Sequence, residues 1–299
     1  MSDIISSPSV RALARERGVD IEKLGRDLGR TTIAREDLSD SPPPSAQAAQ
    51  APAQTDHSAF WDVDHTRHGP VSEAPMSRFA QVAARNLGAA NAMIPQVTHH
   101  DRADVSTIEG LRAQLKPEAQ ARGVKLTALA FQVKALACAL RDFPRFNASL
   151  SPDGKTLILK GYVHVGVAVD TPHGLMVPVV RDADAKGLWQ IAAEIADLAA
   201  RAQARKIGPD EMGGASMTIT NLGGIGGCGF TPIVNPPEVA ILGLTRTEMA
   251  PIWDGEAFQP VPMAPLDLSY DHRVINGAEA ARFAAHLAGL LSDPRRMMI

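Results

Sequence analysis

Leu266-Asp267-Leu268-Ser269-Tyr270-Asp271-His272-Arg273-Val274-Ile275-Asn276-Gly277 starts with strict alternation of apolar and polar residues. It breaks into a charged turn and feeds an amphipathic run over 278–291. The pattern predicts a strand over 266–270, a tight turn, and a helix. Working upstream, Val163, Val165, Val167 and Val169 alternate with His164, Gly166 and Ala168, so 161–170 is expected to be a strand. Thr171-Pro172-His173-Gly174 is a turn and 175–180 the returning strand. Further strands are expected over 96–101, 216–221 and 238–245. Helices are expected over 76–91, 108–122 (with Pro117 as a break), 126–141 (closed by Pro144) and 188–205. Strands and long helices mix without regular alternation. That predicts an α/β sandwich rather than a doubly wound sheet. No internal repeat is visible.

Composition changes near Ser39. Residues 39–60 are dominated by Ala, Pro and small polar residues with almost nothing to bury, and read as an extended, semi-rigid linker. It separates a small all-α mini-domain, 1–38, from a large domain, 61–299. In the mini-domain Ser7-Pro8-Ser9 precedes Val10, Leu13 and Ala14, a capped helix start. Gly18-Val19-Asp20 is a turn, and 33–38 is expected to be a second short helix. Arg11, Arg15 and Arg17 suit an acidic protein surface. The 299 residues carry 30 Lys+Arg against 33 Asp+Glu, a formal net charge of −3, which argues against a nucleic-acid or anionic-membrane coat. No apolar run approaches the roughly 18–20 residues that span a bilayer. Two cysteines, Cys138 and Cys228, make no disulfide framework and no four-thiolate metal site. Both are expected to be buried thiols of a cytoplasmic protein.

His272, at a strand end before Gly277, is a good place for a catalytic imidazole, because the strand is rigid and the turn exposes the ring. A capping or buried hydrogen-bonded histidine explains the pattern as well. In Ser216-Met217-Thr218-Ile219-Thr220-Asn221, alternation puts Ser216, Thr218 and Thr220 on one face. A hydroxyl there can donate to a developing oxyanion, or simply face solvent. Gly224-Ile225-Gly226-Gly227-Cys228-Gly229 fits G-x-G-x-x-G, but the Pro236-Pro237 run beyond it cannot open the helix that a dinucleotide fingerprint needs. His99 and His100, being adjacent on a strand, face opposite sides and cannot chelate a metal together.

These motifs together resemble the acyltransferase family of 2-oxo acid dehydrogenase complexes. The resemblance rests on Met93-Ile94-Pro95-Gln96-Val97-Thr98-His99, Pro144-Arg145-Phe146-Asn147, Gly166-Val167-Ala168-Val169-Asp170-Thr171-Pro172, Thr218-Ile219-Thr220-Asn221-Leu222-Gly223, Pro232-Ile233-Val234-Asn235-Pro236-Pro237-Glu238-Val239-Ala240-Ile241-Leu242-Gly243 and Asp271-His272-Arg273. It implies a chloramphenicol-acetyltransferase-like fold, assembled as a trimer with active sites between subunits. His272 matches the general base that takes the coenzyme A thiol proton, and Thr220 the hydroxyl that stabilises the oxyanion of the next subunit's site. Asn276 stands where most members carry Asp; it can orient through hydrogen bonds but cannot act as a base. The implied substrates are coenzyme A and an acetyl-bearing dihydrolipoamide on a lipoyl domain of another chain, with no metal.

Residues 1–38 resemble the family's peripheral subunit-binding domain, through Ser7-Pro8-Ser9-Val10-Arg11, Leu13-Ala14-Arg15-Glu16 and Gly18-Val19-Asp20. That implies docking of the decarboxylase or the lipoamide dehydrogenase component. The family's glycine-rich loop is replaced by Arg26-Asp27-Leu28-Gly29-Arg30-Thr31-Thr32-Ile33. The tail Pro294-Arg295-Arg296-Met297-Met298-Ile299 resembles the anchor that joins trimers into a larger cage. Two other readings remain: a structural core subunit that has lost catalysis, and an enzyme that acetylates a small molecule.

Overall fold

Ser7 starts the first helix, α1 (Pro8–Glu16), by accepting a hydrogen bond from the Val10 N–H at 3.3 Å, with Pro8 in the first turn. The computed structural model describes residues 4–38 and 61–297; the expected linker, 39–60, and the last two residues lie outside the described residues. The chain divides into two compact units, Met1–Ala74 and Pro75–Ile299.

In the first unit the second helix is not where the sequence suggests. It is α2 (Ile21–Asp27), capped by Asp20, whose carboxylate accepts from the N–H groups of Glu22 at 2.9 Å and Lys23 at 3.1 Å. Those two bonds hold the Asp20 carboxyl below its ordinary range. Of the helix expected over 33–38, only a single 3₁₀ turn, Glu36–Leu38, forms. The reason is backbone pairing. The Ile33 N–H donates to the Ile5 carbonyl at 3.0 Å, and the Ile5 N–H to the Thr31 carbonyl at 2.8 Å, so this stretch is extended where a helix would need it coiled. Ile33 and Leu38 then close a small core over Val10 and Ala14.

The second unit opens with α3 (Arg78–Met93), followed by β1 (Gln96–Asp104), α4 (Ser106–Ala121), α5 (Ala128–Asp142), β2 (Ala148–Leu150), β3 (Leu157–Leu159), β4 (Val165–Ala168) and β5 (Val179–Val180). Then come α6 (Leu188–Gln203), β6 (Met217–Asn221), β7 (Ala240–Leu244), β8 (Glu248–Trp253), β9 (Phe258–Asp271) and α7 (Gly277–Ser292). Seven strands form one mixed sheet in the order β1-β9-β7-β6-β4-β5, with β8 paired to β9; β2 and β3 form a separate hairpin. Only β4, β6 and β7 run parallel. The expected α/β architecture without regular alternation is what forms.

One face of the sheet supplies the main core. Met217 and Ile219 of β6 and Leu266, Leu268 and Tyr270 of β9 pack with α5 and α7, and from Ala130 to Leu140 α5 buries every residue except Lys134. Each fully buried aliphatic side chain contributes about 1.5–3 kcal/mol. Against the opposite face, Ala90 and Ile94 pack with Val234 and Ile241. This second face carries Thr218, Thr220, Asp267 and Ser269, which alternation sets opposite the core residues.

Several boundaries differ from expectation, each for a local reason. The strand expected over 161–170 is only Val165–Ala168, and its return only Val179–Val180. The Val167 N–H donates to the Pro178 carbonyl at 2.9 Å, but Pro178 has no N–H to return the bond, so the ladder thins to the isolated bridge Val169↔Met176. Pro117 does not break α4, which runs through it; one missing N–H near the end of a sixteen-residue helix is tolerated.

The strand expected over 266–270 is the end of the fourteen-residue β9, and its hairpin partner β8 was not legible. Prolines 251, 260, 262 and 265 argue against a strand. Yet Pro251 faces Pro260 in register, which places that pair between ladder hydrogen bonds where neither N–H is needed. Cys138 is buried as expected, but Cys228 is exposed: it lies in the glycine loop, where no helix or strand covers it. Met297 of the C-terminal turn Pro294–Met297 is buried within its own chain, its carbonyl 3.9 Å from the Cys138 thiol.

Candidate active site

The backbone N–H groups of the turn after β9, from Asp271 to Ile275, are all hydrogen-bonded, and this fixes the base of the His272 side chain. The Asp271 N–H donates to the Val239 carbonyl at 2.8 Å. The Val274 and Ile275 N–H groups both donate to the Asp271 carbonyl at 3.0 Å, and the His272 N–H donates to the Pro95 carbonyl at 3.1 Å. The buried Asp271 carboxylate clamps the Arg273 guanidinium with bonds of 2.7, 3.0 and 3.2 Å, and this pairing raises the Arg273 pKa further. Arg145 donates to the Val274 carbonyl and stands 3.5 Å from Glu279 of α7, a second brace. The His272 ring is exposed, tilted over Tyr270 with centroids 5.8 Å apart. The sequence singled out the histidine but missed Arg145 and Arg273 as its supports, because their partners lie across the fold or in the turn's own geometry.

Asn276 belongs to the same turn. Its Oδ1 accepts the Glu279 N–H at 2.9 Å, making it the N-cap of α7. The carboxamide is therefore engaged with the helix, and fixes where the helix begins relative to His272.

Thr220 lies elsewhere. It stands at the end of β6 and lines a cavity of about 620 Å³ with Thr218, Phe79, Leu87, Phe230 and Asn235. The walls are largely apolar, and its polar features are the two hydroxyls and the carboxamides of Asn86 and Asn235. Gly243 of the neighbouring strand leaves the room for Phe230: a Cβ there would sit 2.8 Å from the ring. Sheet register separates this hydroxyl from His272. Thr220 pairs with Gly243, and Gly243 with Asp267. His272 therefore lies two strands across and five residues further along, roughly 20 Å at ordinary sheet spacings. Within one chain the imidazole and the hydroxyl cannot act on the same carbon.

Beneath the cavity lies a carboxyl that the sequence did not flag. Glu238 is buried, and its Oε1 accepts the Thr218 hydroxyl at 2.9 Å. Its other oxygen, Oε2, accepts no hydrogen bond among the described residues. Burial pushes the pKa up to about 7, against the smaller opposing pulls of the Thr218 hydroxyl and the Lys160 ammonium.

On the same face His100 Nδ1 meets the buried Asp267 at 2.6 Å. His99 points the other way, as expected for neighbours on a strand. No helix follows the glycine loop 224–229, consistent with the reading that it is not a dinucleotide fingerprint. Among the described residues no group of three His, Cys, Asp or Glu could hold a metal ion, and no helix is long and apolar enough to cross a membrane.

The class is that of an acyltransferase catalytic domain. The family model of the 2-oxoacid dehydrogenases acyltransferase (catalytic domain) matches residues 68–299, and the chain belongs to this family. Among curated relatives, it is 48% identical over 300 residues to the dihydrolipoyllysine-residue acetyltransferase component of the pyruvate dehydrogenase complex of Azotobacter vinelandii. The match covers 98% of this chain and 47% of that protein. The counterpart from Pseudomonas aeruginosa is 48% identical over 299 residues, 98% of this chain and 55% of the relative. The chain thus spans about half the length of the curated relatives it matches. A crystallographic and enzymatic study of the Azotobacter vinelandii dihydrolipoamide acetyltransferase provides a matching structure, with a TM-score of 0.78 and 52% identity over 79% of this chain and 98% of that one. That study concerns the roles of a serine, a histidine and an asparagine in its catalytic mechanism, the last two being four positions apart. The cubic core of a pyruvate dehydrogenase multienzyme complex matches equally well, with a TM-score of 0.78.

Proposed function

We propose that this chain moves an acetyl group between dihydrolipoamide and coenzyme A, at a site formed where His272 of one protomer meets the Thr220 cavity of another. The observation that carries this reading is the separation of the two groups within one chain, together with the opposite demands that each one's surroundings meet. His272 is exposed on a rigid turn, whereas Thr220 opens into an apolar cavity. His272 and Asn276 have the same four-residue spacing as the histidine and asparagine studied in the Azotobacter vinelandii enzyme, and Thr220 offers the hydroxyl that a serine offers there.

The imidazole takes the proton from the coenzyme A thiol, and the thiolate attacks the carbonyl carbon of the acetyl-dihydrolipoamide thioester. Negative charge moves onto the carbonyl oxygen, where the Thr220 hydroxyl donates to it. When the carbon–sulfur bond to dihydrolipoamide breaks, the departing thiolate takes the proton back from the imidazolium. No net charge is left behind, and both thioesters are of similar energy, so the task is placing the reactants and generating a thiolate. A general base contributes about 10²–10⁴-fold and one oxyanion donor about 10²–10³-fold.

The same reading assigns 61–299 to catalysis, 1–38 to docking the decarboxylase or lipoamide dehydrogenase component through Arg11 and Arg15, and 39–60 to a linker. The protomers form a trimer that builds a larger cage, and the lipoyl group comes from a lipoyl domain. The deciding experiment measures acetyl transfer from acetyl-coenzyme A to free dihydrolipoamide. Turnover that vanishes in His272→Ala supports the proposal. An assembled chain with no turnover would make it a structural core subunit instead.

A further inference from the structure

Glu238 has no part in the chemistry above, yet it sits where it must matter. Its Oε1 holds the hydroxyl of Thr218, and its N–H donates to the Asn235 carbonyl at 3.1 Å. Thr218 and Asn235 both line the cavity that Thr220 opens into. Thr218 and Thr220 are two residues apart on one strand, about 7 Å along the same face. The carboxyl is thus the buried underside of the cavity's polar edge. It is 7% exposed, Oε2 has no partner at ordinary hydrogen-bond geometry among the described residues, and the Thr218 backbone and the Asn235 side chain pull on the carboxyl only weakly. A carboxylate left with an empty oxygen in an apolar interior is costly, whereas a neutral carboxyl is not.

One charged group acts on it among the described residues, Lys160. That ammonium is itself part-buried and donates to the Ala215 carbonyl at 2.8 Å, and no ion pair with Glu238 forms. We propose that Glu238 is a positioning residue of the acyl-transfer site: neutral, it seats Thr218 and Asn235 beneath Thr220, and ionised, it opposes the oxyanion that Thr220 must stabilise.

The inference rests on the acyl-transfer reading, and its sign follows from Coulomb's law. A carboxylate about 10 Å from the developing oxyanion, at an effective dielectric near 20, slows the step by about 10-fold. Burial raises this carboxyl to about 7, so the change falls near neutrality. Activity therefore falls as pH rises and Glu238 loses its proton.

Two measurements on the full chain test this separately from the function. The first is difference infrared spectroscopy of the protonated-carboxyl band between about pH 5 and pH 9. The wild type loses a buried-carboxyl band on titration near neutrality, and Glu238→Gln lacks it. The second is the pH profile of acetyl transfer. Glu238→Gln loses the alkaline fall of about 10-fold. Thr218→Val removes the hydroxyl that favours the carboxylate, and moves both the infrared titration and the alkaline limb to higher pH. An unchanged infrared titration in Glu238→Gln, or an alkaline limb identical in all three proteins, overturns the inference. A chain that transfers no acetyl group at any pH refutes the acyl-transfer reading, and with it the catalytic half of this one, while the infrared titration still decides whether Glu238 is the buried acid.

Discussion

A site split between protomers has a consequence that a site within one chain cannot imitate. His272→Ala removes the base and leaves the Thr220 cavity whole; Thr220→Ala does the reverse. Each pure variant should retain no more than about 1% of wild-type transfer, given the loss of at least about 10²-fold for either group. When the two variants are co-expressed from separately tagged copies and assembled at random, every interface draws its imidazole from one protomer and its hydroxyl from the next. An interface is intact when the first is Thr220→Ala and the second His272→Ala, a chance of one half times one half. Each mixed trimer holds one intact interface in three, so assemblies selected for both tags should recover about a third of wild-type activity, against about a quarter before selection. The assay is acetyl transfer to dihydrolipoamide by doubly tag-purified assemblies, with mixtures of separately purified variants as the control. Recovery to about a third against a background of about 1% is a wide margin. A doubly tagged assembly no more active than either parent would refute the shared site, and would show that the roughly 20 Å between the two groups in one chain closes in some other way.

Two further predictions concern the parts around the site. Asn276→Ala should cost about 1 kcal/mol of stability by removing the cap on the Glu279 N–H, read as a shift of the denaturant midpoint. Asn276→Asp, which can still accept that bond, should keep the stability and lose far less activity than His272→Ala; equal losses would mean that the carboxamide does more than cap and orient. Gly243→Ala forces a Cβ to within 2.8 Å of the Phe230 ring and 3.2 Å of the Asp267 Cβ. It should destabilise by about 1–3 kcal/mol and raise the KM for the acyl substrate as Phe230 shifts into the cavity. A Gly243→Ala enzyme with wild-type stability and KM would show that the ring has free space to retreat into.

The pattern of success and failure along the chain follows the range of the forces involved. The histidine turn was legible because its signals are contiguous: an alternating strand, a charged turn and a glycine before a helical period, all within twelve residues. The face shared by Thr218 and Thr220 was legible for the same reason, since alternation is a local rule. The second helix of the small unit was misplaced because Ile33 is held extended by Ile5, twenty-eight residues away, a bond no local propensity announces. The hairpin of β8 and β9 was hidden by its prolines, which are harmless only in the register the partner strand imposes.

By itself, then, the sequence determined what is set between near neighbours: an α/β fold, the family, and the identity of His272, Thr220 and Asn276 as candidates. Tertiary structure alone decided what depends on which strands lie side by side. It put Thr220 and His272 two strands apart, pressed Arg145 against the histidine turn, and sealed Glu238 beneath Thr218. The physical reason is that periodicity records which face a side chain takes, whereas burial, charge and reach depend on the neighbours that chain packing brings in from far along the sequence.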